Sequence, residues 1–90
     1  MLPFTPTLHR FMKLTYDPEF NIAYLQLKEK SEQVRTIQVS DQLNVALSDD
    51  GTIFGIELLN ANEQLGGSSR KELVFQNDQS GKSACFALPF

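Results

Sequence analysis

Apolar and polar residues alternate with a period of two through much of residues 12–59. Met12, Leu14 and Tyr16 alternate with Lys13 and Thr15, the signature of a strand with one buried face. Residues 22–28 alternate again, with Ala23, Leu25 and Leu27 on one side and Ile22, Tyr24 and Gln26 on the other. Residues 35–39 place Ile37 and Val39 together, residues 43–47 alternate almost strictly, and residues 53–59 form a fifth run. Five strands are therefore expected. The joining segments are too short for parallel crossovers, which predicts an antiparallel meander.

Turn chemistry separates the runs. In Asp17-Pro18-Glu19-Phe20-Asn21, Pro18 presets φ for a type I turn. Asp17 can cap that turn and Asn21 tolerates a left-handed backbone. In Ser48-Asp49-Asp50-Gly51-Thr52, Gly51 supplies the positive φ that closes a short hairpin. After the fifth run, Asn60 stands as the expected N-cap of a short helix with Glu63 three residues on, and Gly66-Gly67 as its C-cap.

The organisation expected is an irregular N-terminal extension over residues 1–11, a β-meander domain over 12–66 and a tail over 67–90. One extra strand is expected near 71–76, followed by a polar, mobile string over 76–83. Residues 12–75 are expected to fold alone. The fold class is α+β, mainly β, with one short helix and a flexible C-terminal tail.

Composition narrows the function classes. Ninety residues suit one small domain. Residues 12–65 hold four basic and nine acidic residues, a net −5 within a chain of net charge −3. That argues against a nucleic-acid binder, whose affinity rests on Lys and Arg. No apolar run reaches the roughly 18 residues of a membrane-spanning helix, so no membrane partner is expected. The single cysteine, Cys85, cannot close a disulfide within the chain and reads as an idle thiol. A cytoplasmic location is the expectation, because no apolar export segment follows the prolines at Pro3 and Pro6.

Candidate chemistry is thin. The only histidine, His9, lies in the N-terminal extension, far in sequence from Cys85. Asp17 and Glu19 are two residues apart, and Glu57 is placed to share their sheet, so these three are the carboxylates a small enzyme or ligand binder would use. Turn formation explains the first two without any chemistry. Gly66-Gly67-Ser68-Ser69 follows the expected helix instead of leading into one, so it lacks the context of a phosphate loop. No catalytic, metal or cofactor residues are assigned.

Tyr16-Asp17-Pro18-Glu19, Ala23-Tyr24-Leu25, Asp49-Asp50-Gly51 and Gly55-Ile56-Glu57-Leu58-Leu59 together resemble a small bacterial family, catalogued as domain of unknown function 2283. Phe20-Asn21 departs from the Ala-Asp usual there. The resemblance spans residues 12–65, leaves 1–11 and 76–90 without counterpart, and suggests a misassigned start. It carries no catalytic residues. It implies, for some members, an antitoxin-like role as the neutralising partner of a small toxin.

The function expected is a non-catalytic protein-interaction module, self-associating or bound to a small protein partner. Both sheet faces carry apolar groups: Leu43, Val45, Leu47, Phe54, Ile56 and Leu58 on one, and Ile22, Tyr24, Ala46, Ile53 and Leu59 on the other. One short helix cannot cover two faces. Ile22, Tyr24, Ile53 and Leu59 are the candidate interface residues of a homo-oligomer.

Overall fold

A computed structural model describes residues 12–29 and 33–90 of the chain. Its strands are β1 (Lys13–Asp17), β2 (Ile22–Gln26), β3 (Val34–Ser40), β4 (Leu43–Ser48) and β5 (Ile53–Leu59). The helix α1 (Ala61–Gln64) follows, then β6 (Glu72–Gln76) and β7 (Ser83–Ala87). The fold is mainly β, as the alternation predicts, and every strand pair is antiparallel. The expected N-terminal extension lies outside the described residues.

Strand order departs from a simple meander. The five-stranded sheet runs β1-β2-β5-β4-β3, so β2 and β3 are not neighbours. Residue character explains the order. β5 carries Ile, Phe and Leu residues on both sides and takes the centre, where neighbours on each flank cover it. β3 alternates its apolar residues with Arg35, Thr36, Gln38 and Ser40 and lies at an edge, exposed along its whole length. β2 and β3 therefore stand on opposite flanks of the β5–β4 pair. Just past β2, Leu27 N–H donates to the Phe54 carbonyl at 2.8 Å. Lys28 then reaches the β4–β5 turn, where its Nζ donates to Ser48 Oγ at 3.3 Å and to Thr52 Oγ1, with Asp50 Oδ1 3.6 Å away.

The turns follow their chemistry. Asp17 Oδ1 accepts from the backbone N–H of Glu19 at 2.9 Å, and Asn21 adopts φ 57°. Gly51 adopts φ 87°, donates to the Ser48 carbonyl at 2.9 Å and closes the β4–β5 hairpin. In β4–β5 the register shifts between Ala46 and Leu47, so Leu47 pairs with Ile53 and Phe54 is the bulged residue.

Helix α1 is capped from elsewhere. Asn60 has φ 51° and makes no side-chain cap bond, contrary to the expected capping box. Asn21 does that work across 41 positions of sequence. Its Oδ1 accepts from Asn62 N–H at 2.8 Å, its carbonyl accepts from Ala61 N–H at 2.9 Å, and its Nδ2 donates to Glu63 Oε1 at 2.7 Å. Tyr16 Oη also donates to Asn21 Oδ1, at 3.0 Å. Past the helix, Gly66 and Gly67 take positive φ as expected, and Gly67 N–H donates to the Asn62 carbonyl at 2.6 Å.

The C-terminal segment is not a loose tail. Strand β6 forms where one extra strand is expected, and β7 pairs with it from Glu72–Ala87 to Gln76–Ser83. The polar string between them is a hydrogen-bonded turn. Asn77 Oδ1 accepts from Gln79 and Ser80 N–H, both at 3.0 Å, and Gly81 supplies φ 77°. Asn77 thus acts as Asp17 does in the first turn, with Gly81 providing the left-handed position. Polar composition alone reads as mobile; the Asn–Gly spacing makes it a hairpin turn.

Candidate functional site

The register sorts the main sheet into two unlike faces. One face stacks Leu14 beside Leu25, Leu25 beside Ile56 and Ile56 beside Val45, with Ala23, Leu58 and Leu43 forming the next row. The two apolar sets read from β4 and β5 pair directly here, as Leu43–Leu58 and Val45–Ile56. The opposite face carries the row Thr15, Tyr24, Glu57, Asn44 and Gln38. That row is polar.

On that face Tyr24 lies against Gly55, whose missing Cβ would stand 2.6 Å from the phenol Cζ. Burial pushes the Tyr24 phenol up from its ordinary pKa, and the Glu57 carboxylate pushes it the same way. Glu57 Oε1 accepts from Asn44 Nδ2 at 2.8 Å. The three carboxylates a small enzyme would use are not brought together. Asp17 and Glu19 serve the β1–β2 turn, while Glu57 lies on β5 with the whole of β2 between it and β1. Among the described residues no three His, Cys, Asp or Glu side chains gather as a metal site. His9 lies outside the described residues, and Cys85 is an exposed free thiol on β7. No helix among the described residues is long and apolar enough to cross a membrane.

The four candidate interface residues occupy different settings. Ile22 and Leu59 are paired neighbours, with Tyr24 two positions along the same face, and all three are half-buried. Ile53 stands apart at the start of β5, opposite Leu47, and is exposed.

The apolar face lines a groove. The β6–β7 hairpin stands over it, and a groove of about 570 Å³ separates the two. Leu14, Leu25, Ile56 and Leu58 form its floor, Leu73, Phe75, Ala84 and Phe86 its roof, and Met12 its side. Glu72 is the single charged residue along it. The roof residues share one hairpin face, since Leu73 pairs with Phe86 and Phe75 with Ala84. The base of the hairpin is held to the sheet. Phe90 stacks on Tyr16 with centroids 4.1 Å apart, and Leu88 N–H donates to the Lys71 carbonyl. Lys71 is buried, and its Nζ donates to the carbonyls of Gly67 at 2.6 Å and Phe90 at 3.2 Å.

Beyond that base the hairpin makes no closed core. Leu73 is 50%, Phe75 62% and Phe86 55% exposed. Among the described residues only Ala23, Ala46 and Ala61 are buried apolar residues, and no large side chain is fully buried. Sequence reasoning missed this groove. The alternation of Phe86, Leu88 and Phe90 was its one visible signal.

The fold and its sequence place the chain among small antiparallel β-sheet domains. Residues 13–62 match the family model described as "Protein of unknown function (DUF2283)", more than half of the chain, and the protein belongs to that family. The match ends before the β6–β7 hairpin. No curated protein and no solved structure gave a match.

Proposed function

We propose that this protein is a non-catalytic interaction module whose apolar sheet face is completed by another protein chain. The observation that carries the reading is the absence of any fully buried large side chain among the described residues, beside an open apolar groove. Leu, Ile and Phe are ordinarily among the most buried residue types. A two-stranded hairpin is marginal by itself in water and needs a packing surface. Contiguous apolar patches on a folded surface usually mark an interaction site.

An apolar reporter dye and light scattering on the full chain test the reading together. A mass above 10.2 kDa, or a monomer that brightens the dye, supports it. A monomer that leaves the dye dark has closed its own apolar face and overturns it. The face carrying Ile22, Tyr24 and Leu59 is the competing surface for the same role. Tyr24→Asp with Leu59→Asp splits an assembly built on that face and leaves one built on the groove intact.

A further inference from the structure

We infer that the partner is a second copy of this chain, and that each copy seats its β6–β7 hairpin against the apolar sheet face of the other. The inference rests on the interaction reading above and names its partner. Three observations carry it.

The first is the chemistry of the groove. Its floor and roof are apolar, and Glu72 is the single charged residue along it. A surface that fits there without stranding a charge must itself be apolar and flat enough to lie on a sheet. The hairpin face formed by Leu73, Phe75, Ala84 and Phe86 is such a surface, and every copy of the chain carries one.

The second is shape. One surface patch presents both a hairpin face and the sheet face that receives it when two copies exchange hairpins. A two-fold arrangement needs this self-complementarity, because the same patch must act as donor and acceptor at once. The hairpin base stays on its own sheet through Phe90 and Tyr16, so the strands beyond that base act as the exchanged arm.

The third is area. Met12, Leu73, Phe75 and Phe86 are each half exposed or more. A buried aromatic side chain covers about 150–250 Å², so these four together expose roughly 400 Å². A standard interface takes about 800 Å² from each partner, a little over half of it apolar. The four side chains alone supply close to that apolar share.

The test uses the full chain and one engineered pair of cysteines. Met12→Cys/Cys85→Ser and Ala84→Cys/Cys85→Ser chains are co-expressed, purified together and oxidised. A disulfide-linked species of twice the chain mass, absent when either variant is oxidised alone, is the expected result. In parallel, light scattering of the unmodified chain is expected to give about twice 10.2 kDa.

A dimer that gives no such disulfide overturns the arm arrangement while leaving the interaction module standing. A monomer that brightens the apolar dye overturns the second copy as partner and leaves a different protein in that place. A monomer that leaves the dye dark removes both readings, residues 1–11 or a small apolar molecule being the remaining occupants. Native mass spectrometry tells those two apart. Should a cysteine variant fail to fold, a nitroxide on the native, exposed Cys85 replaces it. Dipolar coupling between two labels is then expected, and its absence overturns the inference.

Discussion

Gly51 and Gly55 exclude side chains for different reasons, and the difference is measurable. At Gly51 a Cβ would meet nothing within 4 Å, so the whole cost of a side chain lies in the backbone at φ 87°. Gly51→Val is expected to lower stability by roughly 1–3 kcal/mol, more than any other single loop change, as read from the midpoint of chemical denaturation. Gly55 has room for no Cβ because Tyr24 lies on it. Gly55→Ala is expected to cost about 1–3 kcal/mol through overpacking. Combined with Tyr24→Leu, much of that cost should vanish, and a double-mutant cycle showing simple additivity would contradict the contact. Gly51 was legible from its turn. Gly55 was not, because its constraint comes from a residue on the neighbouring strand.

The Tyr24 phenol makes a second prediction at single positions. Its pKa is raised by burial first and by Glu57 second. A neutral phenol preferred in the folded state means that stability is fully present below the unfolded tyrosine pKa of about 10 and is lost as pH rises through the folded value. Denaturation midpoints compared at about pH 9 and about pH 11 should fall more for the parent chain than for Tyr24→Phe. Equal losses would show that Tyr24 does not contribute to the alkaline limb.

Among the elements, α1 shows how a local signature misleads. Asn60 followed by Glu63 reads as a capping box, yet Asn60 is left-handed and its side chain caps nothing. Asn21, held at φ 57° in the β1–β2 turn, satisfies the helix N-terminus instead. Asn21→Ala is expected to cost about 1–2 kcal/mol and to loosen amide protection at Asn62, whose N–H loses its side-chain acceptor. Asn60→Gly should be neutral or slightly stabilising, since a glycine takes a left-handed backbone without a Cβ penalty. Hydrogen exchange on both variants separates the two asparagines. The reverse ranking would restore Asn60 as the cap.

For the molecule as a whole, Lys28 ties the end of β2 to the β4–β5 turn through Ser48, Thr52 and Asp50. Deleting the tail also gains a new meaning. Residues 12–75 were expected to fold alone, but that span removes β7 and the Phe90 ring that stacks on Tyr16. The truncated chain is expected to shift amide signals around Tyr16 and Lys71 and to leave β6 without its partner. Spectra that overlay through Lys71 would mean the hairpin adds nothing to the sheet.

Strand identity was written locally. A period of two, a proline or glycine at each bend and polar caps such as Asp17 act over a few residues, so each of the five sheet strands stands within two residues of its expected bounds. Asn21 was likewise readable as left-handed, because asparagine tolerates that conformation wherever it sits. Three things depended on distant residues meeting. The order β1-β2-β5-β4-β3 depended on which strand is apolar on both faces, a competition among all five. The cap on α1 came from 41 residues away. The groove arose because β6 and β7, each an unremarkable short run alone, pair into one apolar face held over another. Local pattern carries conformation; burial is a property of surfaces, and surfaces exist only once the strands have found their neighbours.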